Sequence, residues 1–247
     1  MLRRLVLTVA SVIALTAAAS AADMYVPGPA AGPGGYKDAY VPVWSWTGFY
    51  VGAEGGGNWG NSSIYDLLLQ RPETNSFGLS GGLFGGTVGY NYQVAPHWVI
   101  GIEDDISWTD KSGSAVDIHV ATTNNTVTER WLDTLRGRIG YAWDRLLIYG
   151  TGGAAFGSTD LQVCGTAGCF TQSGVSRTGW AAGGGVEWAF GHHWSAKAEY
   201  LHVDFGSADY TGLPSPPVDH RSVSLTDDIA RVGINYRFGI SDYVPLK

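Results

Sequence analysis

The chain has 247 residues and a formal net charge of −7, and charged residues make up only 15% of it, well below the roughly 25% of an ordinary soluble domain. This acidic balance gives no reason to expect nucleic acid as a partner, because a phosphate-binding domain needs a basic patch. Beyond the N-terminal segment no apolar run reaches the roughly 18 residues of a membrane helix, so the composition excludes a helical membrane protein.

The first 22 residues have the layout of a secretory signal peptide. Arg3 and Arg4 precede an apolar run at 5–18, and small residues follow up to the expected cleavage after Ala21 or Ala22. The alternative is a membrane anchor, which the shortness of the run disfavours. Residues 23–45 are rich in proline and glycine without a period, which predicts an extended periplasmic tail.

From residue 46 onward the chain is organised as eight segments in which apolar and polar residues alternate. Segments of this length with a period of two are typical of transmembrane β-strands, which need roughly 9 to 11 residues to cross a bilayer. The facing of the fifth segment is left open, because glycines interrupt its pattern. The eight segments are 47–59, 80–92, 98–108, 130–143, 146–157, 178–190, 194–205 and 225–238.

The connections between these segments alternate in length. Long polar stretches at 60–79, 109–129, 158–177 and 206–224 alternate with short turns at 94–97, 144–145 and 191–193. This order predicts an all-β fold: an eight-stranded antiparallel up-and-down transmembrane β-barrel, with short periplasmic turns and four long extracellular loops. The alternative is a soluble lipocalin-type barrel, in which the apolar residues would lie inside.

The charges decide between the two barrels, because ten of them fall on one parity of the strands and the large apolar residues on the other. Buried charges are tolerated only when they are paired and hydrogen-bonded. We therefore predict a plugged barrel with apolar residues toward lipid and a network of ion pairs in the lumen. Its members are Glu54, Glu103, Asp105, Arg136, Arg138, Glu187, Lys197, Glu199, Arg231 and Arg237.

Aromatic residues cluster near the ends of the predicted strands, as in the girdles at the two membrane interfaces. Asp104 departs from the pattern, since it lies on the lipid parity; a bulge or a position above the membrane would explain it. The alternation also blurs after Tyr200, in residues 201–205. The residues assigned to the girdles are Trp46, Tyr50, Trp59, Trp98, Trp108, Trp143, Trp180, Trp188 and Trp194.

Several segments resemble the eight-stranded outer-membrane β-barrel family of alphaproteobacteria, the OmpA-like group often labelled porin family. The resemblance is carried by WTGFYVGAEGGGNWG (46–60), LRGRIGYAWDRLLIYGTGGAAFG (135–157) and ARVGINYRFG (230–239). It implies a barrel over 46–239, an outer-membrane location, insertion by the barrel-assembly machinery, a surface structural role and no catalytic residues. The terminal insertion signal would then be followed by a short tail at 240–247.

Chemistry-bearing residues near the ends of the strands and in the turns suggest only weak alternatives. Asp104 and Asp105 together with His202 and Asp204 could activate water at an outer rim, as in a hydrolase. His97 could bind a metal with the histidine pair at 192–193 if two turns met. In both cases we favour an ordinary role as polar residues at loop edges and in turns, so no enzymatic activity, cofactor or metal site is predicted.

The two cysteines, Cys164 and Cys169, are predicted to form a disulfide, because an exported protein meets an oxidising compartment. The function favoured by these observations is an envelope-stabilising barrel that presents its loops for surface interaction. A narrow channel for small solutes is the alternative. The expected partners are outer-membrane lipid and lipopolysaccharide, and an extracellular ligand for the loops.

Overall fold

The computed structural model describes residues 44–166, 168–213 and 219–238, so the predicted signal peptide, most of the 23–45 tail and the 240–247 tail lie outside the described residues. The described part contains ten strands and no helix long and apolar enough to cross a membrane. The strands are β1 (Gly48–Asp66), β2 (Arg71–Pro72), β3 (Phe77–Ala95), β4 (Trp98–Thr109), β5 (Ser112–Val116), β6 (Asn124–Trp143), β7 (Leu146–Gly165), β8 (Gly168–Ala189), β9 (Trp194–Leu213) and β10 (Asp219–Arg237).

Eight long antiparallel strands close into a ring, which confirms the predicted fold class. The sheet order is β2-β1-β10-β9-β8-β7-β6-β4-β3-β5, and the additional pairing of β1 with β3 closes it. The three short turns lie where the sequence predicted them, between β3 and β4, β6 and β7, and β8 and β9. Closure leaves no unpaired edge within the membrane-spanning wall, as a hydrocarbon environment requires.

The four long connections differ from the prediction, because most of their length is strand. β1 continues to Asp66, and β7 and β8 are paired with each other as far as Gly165 and Gly168, so the stretches at 60–79 and 158–177 are extended hairpins rather than loops. Their polar composition hid the strands, since a hairpin surrounded by water needs no apolar outer face. The long hairpins form one end of the barrel and the short turns form the other.

The outer wall of the barrel is apolar between two aromatic girdles. Ile139, Val186 and Ile234 are 45–56% exposed on this wall, where a soluble barrel would bury them. The tryptophans at 59, 108 and 180 lie toward the long hairpins and those at 98, 143, 188 and 194 toward the short turns, all 44–57% exposed. This arrangement is that of a lipid-facing wall.

The polarity of the inner face changes near the upper girdle, while the alternation of side chains between the two faces continues. On β9, Lys197 and Glu199 point inward, but farther along the same strand Leu201, Val203 and Phe205 are the buried residues. The alternation that blurred after Tyr200 is therefore intact. In this upper part of the strand the apolar residues lie on the inner face, because the outer face is surrounded by water instead of lipid.

Two apolar layers close the interior above and below the charged residues. The lower layer, next to the short turns, consists of Trp46, Val99, Ala142, Leu147, Tyr149 and Ala189. It also settles the facing of β7, whose Leu147 and Tyr149 point inward. The upper layer includes Leu83, Leu132, Ala155, Ala181, Leu201, Val203, Phe205, Leu225 and Ile229.

The wall is interrupted above the upper girdle, between β8 and β9. Their backbone pairing runs from Trp180–Asp204 to Ala189–Ser195, yet both strands continue beyond it toward the hairpin tips. β8 remains paired with β7 up to Gly168, and β9 with β10 up to Leu213. Among the described residues, no backbone pairing joins the upper parts of β8 and β9, and these parts form the two sides of what we call the β8–β9 cleft.

Candidate functional site

The charged residues predicted to face the lumen meet between the two apolar layers. Six strands supply them, and alternation places each side chain on the inner face. Nine of the ten predicted residues take part in ion pairs with one another, and their side chains are at most 2% exposed. We call this set the ionic core: Glu54, Glu103, Asp105, Arg136, Arg138, Glu187, Lys197, Glu199 and Arg231.

Two arginines link most of the carboxylates. Arg136 donates from Nη2 to Glu103 at 2.8 Å and from Nη1 to Glu199 at 3.1 Å, and it also pairs with Asp105. Arg231 donates to Asp105 at 2.9 Å and pairs with Glu199 and Glu54. The planar guanidinium, with five donors in a fixed arrangement, can bind several carboxylates at once.

The remaining bases complete the core on its lower side. Arg138 pairs with Glu187 at 2.8 Å and with Glu103 at 3.3 Å, and Lys197 pairs with Glu54 at 3.1 Å. Five carboxylates and four bases thus satisfy one another in the middle of the barrel. Such an arrangement of mutually paired charges rigidifies an interior.

Tyr50 is a member of this network rather than of an aromatic girdle, which corrects the prediction. It is 1% exposed, donates its hydroxyl to Glu103 at 2.7 Å and accepts from Arg138 at 3.0 Å. Glycine at position 89 makes room for it, since a Cβ there would come within 2.4 Å of the ring. In the sequence, Tyr50 shares the strand parity of the inward-facing residues but also lies near a strand end. The parity indicated its position correctly, whereas the position near a strand end did not.

Trp46 is also not a girdle residue, and it accompanies the tenth predicted charge. Trp46 is fully buried in the lower layer, and the Arg237 guanidinium lies 5.2 Å from its ring and 4.0 Å from that of Trp44. Arg237 donates to the Ser45 carbonyl at 2.7 Å. It therefore lies at the lower rim and holds the chain segment that precedes β1, separate from the ionic core.

A second buried ion cluster lies higher in the barrel and was missed by the sequence analysis. Lys111, in the connection between β4 and β5, pairs with Glu129 at 2.7 Å and with Asp227, and Asn58 donates to Glu129 at 3.3 Å. Asp227 shares the parity of Arg231 and could have been found. Glu129 could not, because a bulge between Glu129 and Trp131 shifts the inward parity of β6.

Asp104 lies on the outer wall between the girdles, and the structure shows no bulge there. Its carboxyl group is within hydrogen-bonding reach of Asp133 on the neighbouring strand. Neither explanation offered from the sequence holds, because Trp108 of the upper girdle follows farther along β4. The barrel therefore exposes two neighbouring acids to its surroundings just below the upper girdle.

We expect that replacing Asp104 by leucine stabilises the barrel. An acid on the lipid face costs free energy, and a second acid beside it adds repulsion, so the free energy of unfolding should rise by about 1 kcal/mol. Denaturation in phospholipid vesicles measures this. Asp209→Leu, at an exposed position on the upper part of β9, is the matched control and should give no gain. A loss of stability in Asp104→Leu would instead indicate a specific partner for the carboxyl group.

The residues of the hydrolase hypothesis are not brought together. Asp104 points outward and Asp105 inward, and three strands separate β4 from β9 in either direction around the ring. His202 pairs with Asp228 at 2.9 Å, and Tyr200 donates to the same carboxylate at 2.6 Å, while Asp204 accepts from the Gly206 amide. The His202–Asp228–Tyr200 group lies on the outer wall, away from the lumen.

The histidines of the short turns contact residues of the strands next to their own turns. His97 lies 3.0 Å from the Ala142 carbonyl and stacks on Tyr141, and His193 lies 3.0 Å from the Arg237 carbonyl. Within the described residues no group of three or more potential ligands could hold a metal ion. At the opposite end, Cys164 and Cys169 form a disulfide across the tip of the β7–β8 hairpin.

Comparison with known proteins gives a consistent assignment. The model of the outer membrane protein beta-barrel domain matches residues 6–238. The 31 kDa outer-membrane immunogenic protein of Brucella melitensis is 32% identical over 93% of this chain and 98% of its own length. The 22 kDa outer membrane protein of Rhizobium leguminosarum is 31% identical over 74% of this chain and 77% of its own.

Among solved structures, the outer membrane protein OprG of Pseudomonas aeruginosa aligns with a TM-score of 0.47 at 14% identity, over 79% of this chain and 99% of that one. The family match spans almost the whole barrel, and the relatives are named as outer-membrane proteins. The lipid-facing wall of this chain accordingly lies in a bacterial outer membrane. The chain belongs to the outer membrane protein β-barrel family.

Proposed function

We propose that the protein stabilises the bacterial envelope as a rigid, closed barrel and presents its four long hairpins outside the cell for surface interactions. The observation that carries this proposal is the filling of the interior. Apolar layers lie above and below an ionic core whose side chains are nearly fully buried. An eight-stranded barrel has an interior just wide enough for side chains, so the filling favours a structural role over solute passage.

A conductance measurement tests the closed interior against the alternative of a narrow channel. Refolded protein incorporated into planar bilayers should give no steady single-channel steps at any applied potential at which the bilayer itself is stable. The control is the same protein left unfolded, which reports leakage caused by denatured chains. Current steps of reproducible size from the folded protein alone would show that the interior opens, and the channel would become the better description.

Surface labelling tests the orientation of the hairpins. Ser173→Cys lies at an exposed position near the β7–β8 tip, and His192→Cys lies at an exposed position in a short turn. On intact cells a membrane-impermeant maleimide should label the first variant at least about tenfold more than the second. After lysis both should react equally. Preferential labelling of His192→Cys on intact cells would mean that the short turns face outward.

The envelope-stabilising role is tested by removing the protein from its own host. Cells without it should admit more of a hydrophobic dye that an intact outer membrane excludes, and the wild-type protein should restore the barrier. A variant that folds but lacks the β7–β8 tip should restore the barrier equally well, because the role belongs to the barrel. Unchanged dye entry in the depleted cells would contradict the proposal.

A further inference from the structure

The upper parts of β8 and β9 each expose an unpaired backbone edge to the β8–β9 cleft. Val175–Thr178 on one side and Ser207–Thr211 on the other are paired with β7 and β10 respectively, but not with each other. Backbone N–H and C=O groups along such an edge form a template for another extended chain. Everywhere else along the ring, the wall between neighbouring hairpins continues above the girdle through backbone pairing or through β5.

The cleft is closed on its inner side by side chains rather than by backbone. Arg177 of β8 donates to the hydroxyl of Tyr210 on β9 at 3.4 Å and to the Val223 carbonyl on β10 at 2.9 Å. Its Nε also donates to Thr159 at 2.8 Å. Bridging by two long side chains is expected where backbones stand farther apart than the roughly 4.8 Å of paired strands. Side chains thus close the β8–β9 cleft toward the lumen, and among the described residues no backbone pairing closes it toward the outside.

The side chains along the cleft indicate what fits it. Val175 and Ala208 are partly buried and pack on the upper apolar layer, so they give the cleft an apolar floor. No basic side chain of β8 above the girdle faces outward, since Arg177 is buried. On the β9 side Asp209 is exposed and Asp204 is partly so. These features match an extended chain with small apolar residues on one face and neutral or basic residues on the other.

A second copy of the barrel in the same membrane does not fit the cleft. A two-fold axis along the membrane normal would bring two β8 edges together with the strands running in the same direction. Equivalent residues would then oppose one another, so that donors would face donors and carbonyls would face carbonyls. The symmetric pairing therefore offers no hydrogen bonds, and the complementary occupant is a separate polypeptide.

We propose that the β8–β9 cleft binds an extended, neutral to basic polypeptide segment from outside the cell, which inserts as an additional strand between Val175–Thr178 and Ser207–Thr211. Backbone hydrogen bonds to both edges supply the affinity, and the apolar floor selects small side chains at alternate positions. The inference rests on the proposed outward placement of the hairpins. It is tested on purified protein, however, so its outcome is independent of the labelling of intact cells.

The probe is a short fluorescent peptide that alternates valine with threonine and lysine, titrated against the full-length barrel in lipid nanodiscs. The same peptide with N-methylated backbone amides is the first control and should bind at least about tenfold more weakly, because it keeps the side chains but loses the strand donors. Equal binding of the two peptides would overturn strand insertion.

The matched protein variants place a charge on the cleft floor. Val175→Lys combined with Ala208→Lys should raise the peptide Kd at least about tenfold, since inward charges oppose strand addition. Asn61→Lys, on a wall where β1 is paired with β10 and β3 on its two sides, should leave the Kd unchanged. Heat-modifiable gel migration shows that each variant is folded. Unchanged affinity in the folded double variant would contradict the assignment.

Amide hydrogen exchange locates the bound peptide. In the free protein the amides of Val175–Thr178 and Ser207–Thr211 that point into the cleft should exchange rapidly, and saturating peptide should slow them at least about tenfold. Slow exchange in the free monomeric protein would mean that the two edges already satisfy each other, and the proposal would fail. Slow exchange that appears only at high protein concentration, without peptide, would identify a second copy as the occupant instead.

Discussion

Replacing Arg136 by methionine will lower the free energy of unfolding by about 3–5 kcal/mol, which is the usual cost of breaking a buried ion pair by removal of one partner. Methionine nearly fills the space of the arginine stem but leaves Glu103, Asp105 and Glu199 without their shared cation. Five carboxylates then face three bases in the ionic core. Equilibrium denaturation in phospholipid vesicles, followed by tryptophan fluorescence, measures the loss.

Two controls separate the loss of charge from the loss of the arginine as such. Arg130→Met removes a guanidinium that is 62% exposed and paired with Asp160, so the free energy of unfolding should change by less than about 1 kcal/mol. Combining Arg136→Met with Glu103→Gln restores the wild-type excess of one acid and should recover a substantial part of the stability. If Arg136→Met were as stable as the wild type, the core would be hydrated, and the closed interior would be wrong.

The ionic core shows why the fold could be predicted from the sequence. A lipid-facing strand must place apolar residues outward, so every charge on β4, β6 and β9 between the girdles was confined to the other parity unless it broke the rule. Asp104 on β4 and Asp133 on β6 are exceptions. The charge pattern therefore predicted the inner set of side chains, but it held no information on which acid meets which base, since that depends on the stagger of the strands around the ring.

The part of the barrel above the membrane could not be predicted from the same pattern. Once the wall is surrounded by water, the rule reverses, and Leu201, Val203 and Phe205 become the buried residues of β9. Sequence reasoning that assumed a single rule for the whole strand found the alternation blurred after Tyr200 and ended the strand at residue 205. The same inversion is visible on β10, where Val223 and Leu225 are buried. When strand segments in lipid and in water are both considered, this change from charged to apolar residues on the inner face indicates the upper membrane boundary from the sequence alone.

Local irregularities explain the remaining errors. The bulge at Glu129 changes the parity of β6, which places Glu129 and Leu132 on the same inner face although they differ by an odd number of positions. Trp46 precedes the first strand and follows no strand parity at all, so its burial depends on the short turns that surround it. It donates its indole N–H to the Asp144 carbonyl at 3.0 Å. Neither feature has a sequence signature of its own.

The lipid-facing assignment of the wall leads to the second large effect. Replacing Val232 by arginine will lower the free energy of unfolding in a bilayer by about 2–4 kcal/mol, the cost of a cationic side chain near the bilayer midplane. Val232 is 65% exposed on the outer wall of β10, opposite Gly55 on β1 and Ala198 on β9. It lies between the two girdles. Denaturation in phospholipid vesicles and the yield of heat-modifiable folded protein both report the loss.

The matched control is Val116→Arg, on β5 at the hairpin end of the barrel, where valine is 53% exposed. Since that position lies in water, arginine there should change the free energy of unfolding by less than about 0.5 kcal/mol. The two sites have similar strand environments and exposure, so the difference between the variants isolates the surrounding medium. Equal effects at both positions would mean that the wall between the girdles is not in contact with hydrocarbon. The apolar outer face would then have to be covered by protein, because water alone would not tolerate so large an apolar surface.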